Sequence, residues 1–505
     1  MSTETSEAVP YTRPRRNLKM WGAIGLSLGI VAPSLAMSGN GQGTAAAVGK
    51  AVPLIFVLGA IGIALIAHGF FRLTQRYNQA GSAYALVGMT IGPRAGFFSG
   101  FGVMVTYLLF AIACLGAIGS FVNAFLANAQ GSSLHPFQVP WVYSALGGFV
   151  IAAYFVTREF RNVVRLLLAI ETIGIISMTI LVIVIFAKGG PAHGGGFDFG
   201  TFSPKGQSFT VIMGAVVAAF LSWAGFEACA SLGEETNNPA KNIPKALLGC
   251  VLGTSVLFVV VMFAETIGFG TNAAGVKAFS TSGNSLATLG HTYVGLWFSL
   301  VLSFTAVMSA FACFLGSAQT TGRLLYAFAR DGLGPKQWAE LDVKHNQPVK
   351  ALFAVFALIA VVDYLSFITG HPIVGTGNAA LDEYFYFATV GAMTLMVSYL
   401  MVEIGTMVHL VRDRRQLIYE VVLPILGAAM IIAVFYFNVK SQTNWIAEPF
   451  LAGAIMLIGL IITLAFPGLA SKVGIGLSRN LREPEGKELP ASSGHDQSPF
   501  PTAEV

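Results

Sequence analysis

The chain has 505 residues, of which 55% are hydrophobic and only 10% charged, and its mean hydropathy is +0.70. Soluble globular domains carry about 25% charged residues, so this composition excludes them and indicates a polytopic membrane protein. The net charge of +5 sits in short basic runs and calls for no nucleic-acid partner.

Apolar runs near twenty residues are long enough to cross a hydrocarbon core of about 30 Å. Twelve are predicted, at 21–47, 52–72, 95–125, 139–156, 163–187, 209–233, 246–270, 294–322, 351–369, 383–410, 418–438 and 447–467. Residues 1–18 and 471–505, rich in Ser, Pro, Glu and Gly, are expected to be disordered cytoplasmic segments flanking a membrane domain over 19–470. The amino terminus shows no short apolar stretch followed by a cleavage site, so the first span is expected to stay as a membrane helix. Alternate loops place 24 of the 29 basic residues on one face. By the positive-inside rule that face, with both termini, is cytoplasmic, and the expected location is the cell membrane.

In chain order, the first span is interrupted. Gly22, Gly25 and Gly29 precede Ala32-Pro33-Ser34, and Gly39, Gly41 and Gly43 follow. Pro33 has no amide hydrogen and clashes with the preceding turn, which frees carbonyls for a ligand ammonium. The amides that open the next half-helix, near Ser34, suit a carboxylate. Tyr107 in the third span reads as a packed tyrosine. The sixth span, Phe220-Leu221-Ser222-Trp223-Ala224-Gly225-Phe226-Glu227, puts a helix-weakening glycine and a carboxylate at mid-membrane. Taken singly, each break also fits close helix packing or a simple kink. Their separation of five spans fits the paired broken helices of an inverted-repeat transporter.

The remaining intramembrane ionisable residues, His68, Glu265, Asp363 and Glu403, fit either a part in a proton path or, since nothing pairs them by spacing, satisfied or interfacial polar contacts. Cys114, Cys229, Cys250 and Cys313 fall inside spans and read as small hydrophobes, with no metal-ligand spacing. No metalloprotease His-Glu-x-x-His, phosphate-binding Gly-Lys-Ser/Thr or Gly-x-Ser-x-Gly motif occurs, and the loops are short, so a non-enzymatic role is expected. No cofactor, metal or partner subunit is implied. The partners are the bilayer and a small-molecule substrate. A channel or a membrane receptor is the remote alternative.

Three motifs carry a resemblance to the amino acid–polyamine–organocation (APC) permeases. They are Asn78-Gln79-Ala80-Gly81-Ser82-Ala83-Tyr84 with Ile91-Gly92-Pro93; Gly225-Phe226-Glu227 with Glu234-Glu235, Asn238-Pro239 and Ile243-Pro244-Lys245-Ala246; and Arg323-Leu324-Leu325-Tyr326 through Arg330-Asp331-Gly332-Leu333-Gly334-Pro335. Together with the twelve-span layout, the likeness covers roughly residues 15–470.

The resemblance implies an all-α LeuT-type fold: spans 1–5 and 6–10 as inverted repeats with discontinuous helices 1 and 6, and spans 11 and 12 added. It implies secondary transport of amino acids or related amines, with an exchanger or a polyamine transporter as alternatives. The substrate's amino group would meet carbonyls of Leu221, Ser222 and Ala224, with Gly225 also in the substrate site. Its carboxylate would meet the segment holding Ile30, Ala32, Pro33 and Ser34, where the family usually has Gly-x-Gly-Ile-Phe. An aromatic gate would fall to Phe220 or Trp223. Glu227 would either anchor half-helix amides or touch substrate. Glu171 aligns with a lysine of proton-coupled relatives and would either help carry the coupling proton, in place of sodium, or serve structurally. Glu234 and Glu235 with Arg323 and Arg330 would close the inward gate as ion pairs.

Overall fold

A computed structural model describes residues 19–77, 82–130, 137–156, 160–190, 196–233, 236–342, 347–370, 372–412, 418–441, 447–466 and 468–479. Every long regular element among them is helical. In chain order these are α1 (Met20–Val31), α2 (Pro33–Val48), α3 (Val52–Thr74), α4 (Ala83–Thr90), α5 (Pro93–Ala129), α6 (Trp141–Val156), α7 (Phe160–Lys188), α8 (Phe209–Trp223) and α9 (Pro239–Phe269). They continue with α10 (Ala273–Ser280), α11 (Ser285–Tyr293), α12 (Leu296–Arg330), α13 (Val349–Thr369), α14 (Ala379–Arg412), α15 (Ile418–Ser441), α16 (Glu448–Ala465) and α17 (Leu469–Arg479). An all-helical answer is what hydrocarbon demands, because a helix satisfies its backbone amides and carbonyls within itself.

Each of the twelve apolar runs coincides with a helix or a pair of half-helices, while α4, α10, α11 and α17 are short additions. By length and apolarity alone, nine helices among the described residues suffice to cross a membrane, or ten when α8 and the 3-10 turn after it are taken as one bent span. One of the nine, Met20–Thr74, is a stretch of 55 residues. At 1.5 Å per residue it would run about 80 Å if straight, but it is interrupted at Ala32 and again at the turn Gly49–Ala51.

The first interruption has a local cause. A residue before proline is pushed out of the right-handed helical region, and Ala32 takes the left-handed one, φ 48° and ψ 64°. That conformation costs a non-glycine residue about 1–2 kcal/mol, so it persists because packing on both sides fixes it. Ala32 N still donates to Leu28 O at 2.9 Å, ending α1, and Ala36 N donates to Ala32 O at 2.9 Å, starting α2.

Helix α5 is the axis of the molecule, packed along α12 and α14, and its middle from Leu109 to Phe121 is buried. Helix α7 lies at the periphery, with Ile173, Ile176, Ile180 and Ile183 exposed along it. Such a stripe on a membrane helix is a lipid-facing surface. Side-chain caps start three helices: Ser208 accepts from Val211 N at 3.3 Å, Asn272 from Gly275 N at 2.8 Å and Asn284 from Ala287 N at 2.9 Å.

In the loop before α8, Lys50 Nζ lies 2.9 Å from Asp198 Oδ2. The hydrogen bond from Lys50 is the main cause holding the Asp198 carboxyl below its ordinary range. A depressed carboxylate stabilises above its unfolded value, near pH 4, and loses that contribution as pH falls through the folded value. The two side chains are 45% and 31% exposed, so the pair contributes about 1 kcal/mol or less. Asp198→Asn is expected to lower the thermal midpoint slightly at pH 7, with the difference vanishing in acid.

Candidate functional site

The two helix breaks meet. Helix α8 ends at Trp223 and the chain bends by 41° into the 3-10 turn Phe226–Leu232. Gly225, at φ 98°, is pressed so closely against α1 that a Cβ there would lie 2.3 Å from Ile30 Cγ2. Ser27 of α1 clamps the turn, donating through Oγ to Phe226 O at 2.8 Å and accepting from Cys229 N at 3.1 Å.

Between the breaks lies a cavity of about 30 Å³. Ile30, Leu35, Ala36 and Asn40 line it from α1 and α2, Leu221 from α8 and Ala224 from just past its end. Cys114 of α5, Cys313 of α12 and Tyr384 of α14 complete its polar edge. At about 10–15 Å³ per water it holds two or three waters, so the arrangement is closed and a substrate requires the helices to part. Tyr384 donates to Asn40 Oδ1 at 2.7 Å, and Asn40 Nδ2 donates to Ser222 Oγ at 2.8 Å. One amide thereby ties α2, α8 and α14 together at the cavity wall. The Cys313 thiol is directed at Ile30 O, 3.4 Å away.

The amides that open α2 are engaged from the side away from the cavity. Ser34 N donates to Glu171 Oε1 at 2.7 Å, and Leu35 N donates to Ser309 Oγ at 3.1 Å. Glu171, on α7, is 4% exposed. A carboxylate at a helix N-terminus meets both the positive end of the dipole and unpaired N–H groups.

Glu227, 1% exposed, sits in a second polar knot. Tyr107 of α5 donates to its Oε1 at 2.7 Å and Tyr399 of α14 to its Oε2 at 2.6 Å. The carboxylate therefore joins the unwound turn to both α5 and α14.

Of the residues singled out by sequence, Ile30, Leu221 and Ala224 line the cavity, and Ser222 is one hydrogen bond from it. Leu221 O accepts from Ala224 N at 3.2 Å. Ala32, Pro33 and Ser34 form the break but are not among the lining residues, and Gly225 rests on Ile30. Phe220 and Trp223 seat α8 elsewhere: the Phe220 ring covers Gly62 of α3, and Trp223 lies 5.9 Å from Phe56 and 5.2 Å from Phe258 between ring centroids. Arg323 is exposed on α12. Arg330 Nε lies 3.4 Å from Asp331 Oδ1, while Tyr84 donates to Asp331 Oδ2 at 3.1 Å. Glu234, Glu235 and residues 78–81 of the first motif lie outside the described residues, as do 1–18 and 480–505.

Sequence reasoning misses Asn40, Tyr384, Cys114 and Cys313 as site residues. A signal for Asn40 exists, since an amide inside an apolar span demands a partner. Among the described residues, no three His, Cys, Asp or Glu side chains gather as metal ligands would.

Two discontinuous helices face each other across a small, mainly apolar cavity with a polar edge, an arrangement that broken-helix transporters share. The amino acid permease family matches residues 21–466. The chain belongs to that family. This permease is 26% identical over 365 residues to the branched-chain amino acid permease BcaP of Lactococcus lactis, covering 67% of this chain and 73% of the relative. It is 25% identical over 331 residues to the mouse cationic amino acid transporter 4, covering 63% of this chain and half of the relative's length. It is 23% identical over 291 residues to the low-affinity putrescine importer PlaP of Escherichia coli K12, covering 57% and 61%.

Proposed function

We propose that this permease is a secondary active transporter of the cytoplasmic membrane, importing an amino acid or small amine with protons by alternating access. The observation that carries the reading is the cavity held between two facing helix breaks in a member of this family. Taking Met20–Thr74 as two crossings and adding α6 to the ten spans brings the number to twelve. The breaks then fall in spans one and six, as a five-plus-five inverted repeat requires, and both termini are cytoplasmic. The names of the relatives, which include branched-chain and cationic amino acid transporters and a putrescine importer, support an amino acid or amine as cargo.

In this reading the substrate's amino group meets carbonyls where α8 ends, at Leu221, Ser222, Ala224 and Gly225. Ile30, at the end of α1, faces the other end of the substrate, and Ala32, Pro33 and Ser34 hold the break that places it. Glu171 couples the proton. An ionised Glu171 holds Ser34 N by a charge-assisted bond, which is about twice as strong as a neutral one. Taking up a proton weakens that bond and loosens the start of α2. A gate at Phe220 or Trp223 would require the α8 contact with α3 to open. Glu234 and Glu235 with Arg323 and Arg330 would bias the inward gate by about 1 kcal/mol or less per exposed pair.

The test is uptake of leucine, lysine and putrescine into sodium-free proteoliposomes, with and without an inward proton gradient. Accumulation that requires the gradient is expected, and Glu171→Gln is expected to reduce it about 10²-fold or more, the low end of what one acid–base group contributes, while exchange persists. Uptake that depends on preloaded substrate and ignores the gradient would make the protein an exchanger and leave Glu171 a structural cap.

A further inference from the structure

We infer that Asp363 and Glu383 form a proton-binding site beside the substrate cavity, and that its occupancy sets the pH dependence of transport; this rests on the transporter reading but not on proton symport.

Asp363 of α13 is 8% exposed and Glu383 of α14 is 1% exposed. Ser366, one turn beyond Asp363 and on the same helix face, donates its hydroxyl to Glu383 Oε2. That contact brings Asp363, one turn before Ser366 on α13, toward Glu383. Among the described residues, Asp363 Oδ1 and Glu383 Oε1 have no hydrogen-bond partner. Helix α5 closes the site: a Cβ on Gly116 would lie 3.0 Å from Glu383 Cγ and 2.5 Å from Ala380 O, so only glycine admits this approach.

Among the described residues, the groups facing the pair are uncharged or turned elsewhere. On α5, beyond Gly116, Ser120 accepts from Asn378 Nδ2 at 3.2 Å. On α6, Trp141 packs against Phe367 of α13, with ring centroids 6.1 Å apart. Asp382, next to Glu383 in sequence, accepts instead from Thr376 N at 2.9 Å and Thr376 Oγ1 at 2.7 Å. On the other flank of Glu383, Tyr384 donates to Asn40. With no arginine, lysine or histidine among these described neighbours, two buried carboxylates on neighbouring elements repel without compensation. A single proton taken up by either carboxyl removes the repulsion. The proton comes from water and returns to it.

The connection to transport is short. Tyr384, whose hydroxyl ties Asn40 into the cavity wall, follows Glu383 directly on α14. Loss of that proton places two negative charges beside the tight contact of α14 with α5. The closed cavity belongs to the protonated pair, and deprotonation forces the wall apart.

The experiment is counterflow exchange of radiolabelled leucine and putrescine at equal pH on both sides, over about pH 5 to 9, for the wild type, Glu383→Gln and Asp363→Asn. The wild type is expected to lose exchange above a midpoint by about tenfold per pH unit, the slope of one proton. Both variants keep exchange and lose that dependence, because one carboxyl alone has no charged twin. A wild-type profile in either folded variant, or loss of exchange at every pH in both, overturns the inference. If one variant fails to fold, the other decides. Exchange needs no gradient, so absence of gradient-driven accumulation in the wild type would sink the symport reading and leave this one standing.

Discussion

Glu227→Ala is expected to abolish uptake and to lower the thermal midpoint of the purified permease more than any substitution at the cavity wall. The carboxylate is buried and carries the hydroxyls of Tyr107 and Tyr399. Removing it orphans both. Each buried, unsatisfied hydroxyl costs about 1–3 kcal/mol, so the pair costs about 2–6 kcal/mol by the same rule. The loss falls where α5, α14 and the turn after α8 converge. The rings around it depend on the same arrangement, since Phe70 lies 5.5 Å from both Phe226 and Tyr399. Tyr107→Phe and Tyr399→Phe should each cost less, about 1–3 kcal/mol, because the second tyrosine still holds the carboxylate. Thermal unfolding of the three variants in detergent, with uptake measured in parallel, checks the ordering. A Glu227→Ala protein that melts and transports like the wild type would show that the knot does not hold the broken span.

The broken spans themselves are legible in the amino-acid sequence. Pro33 and Gly225 announce them, because proline removes a donor and glycine tolerates positive φ, and both effects are local. What lies on each face of α8 is not legible. Leu221 and Ala224 are three residues apart and share the cavity face, while Phe220 and Trp223, also three apart, share the face toward α3 and α9. Helical spacing groups each pair, but nothing local says which pair looks inward. Long-range polar contacts are equally hidden. Asn40 meets Tyr384 across 344 residues of sequence, and Ser34 meets Glu171 across 137. Glu171 is reached only through family resemblance, and its role as acceptor for the α2 amide emerges from the fold. Asp363 lacks a visible partner in the sequence because Glu383 lies across the connection between α13 and α14, where spacing carries no register.

Gly225→Ala is expected to reduce uptake to background, for two separable reasons. At φ 98° an alanine enters a region that costs L-residues about 1–2 kcal/mol. The new methyl would also lie 2.3 Å from Ile30 Cγ2 and 2.9 Å from Ile30 Cβ, an overlap that typically costs about 1–3 kcal/mol. Because Ile30 belongs to the other break, relief requires the two half-helix junctions to separate, and that separation is the contact around which the cavity is built. Ile30→Ala alone removes the outer carbons of a lining side chain, so it should enlarge the cavity and broaden the range of accepted substrates without ending transport. Combined with Gly225→Ala, it eliminates the closest clash but leaves the Cβ contact and the backbone strain. The double variant should therefore recover part of the uptake, and a double-mutant cycle should return a favourable coupling of about 0.5–3 kcal/mol, the range for residues in contact. Additive losses, with no recovery in the double variant, would mean that the two breaks do not touch during transport and that the junction seen here is not a working contact.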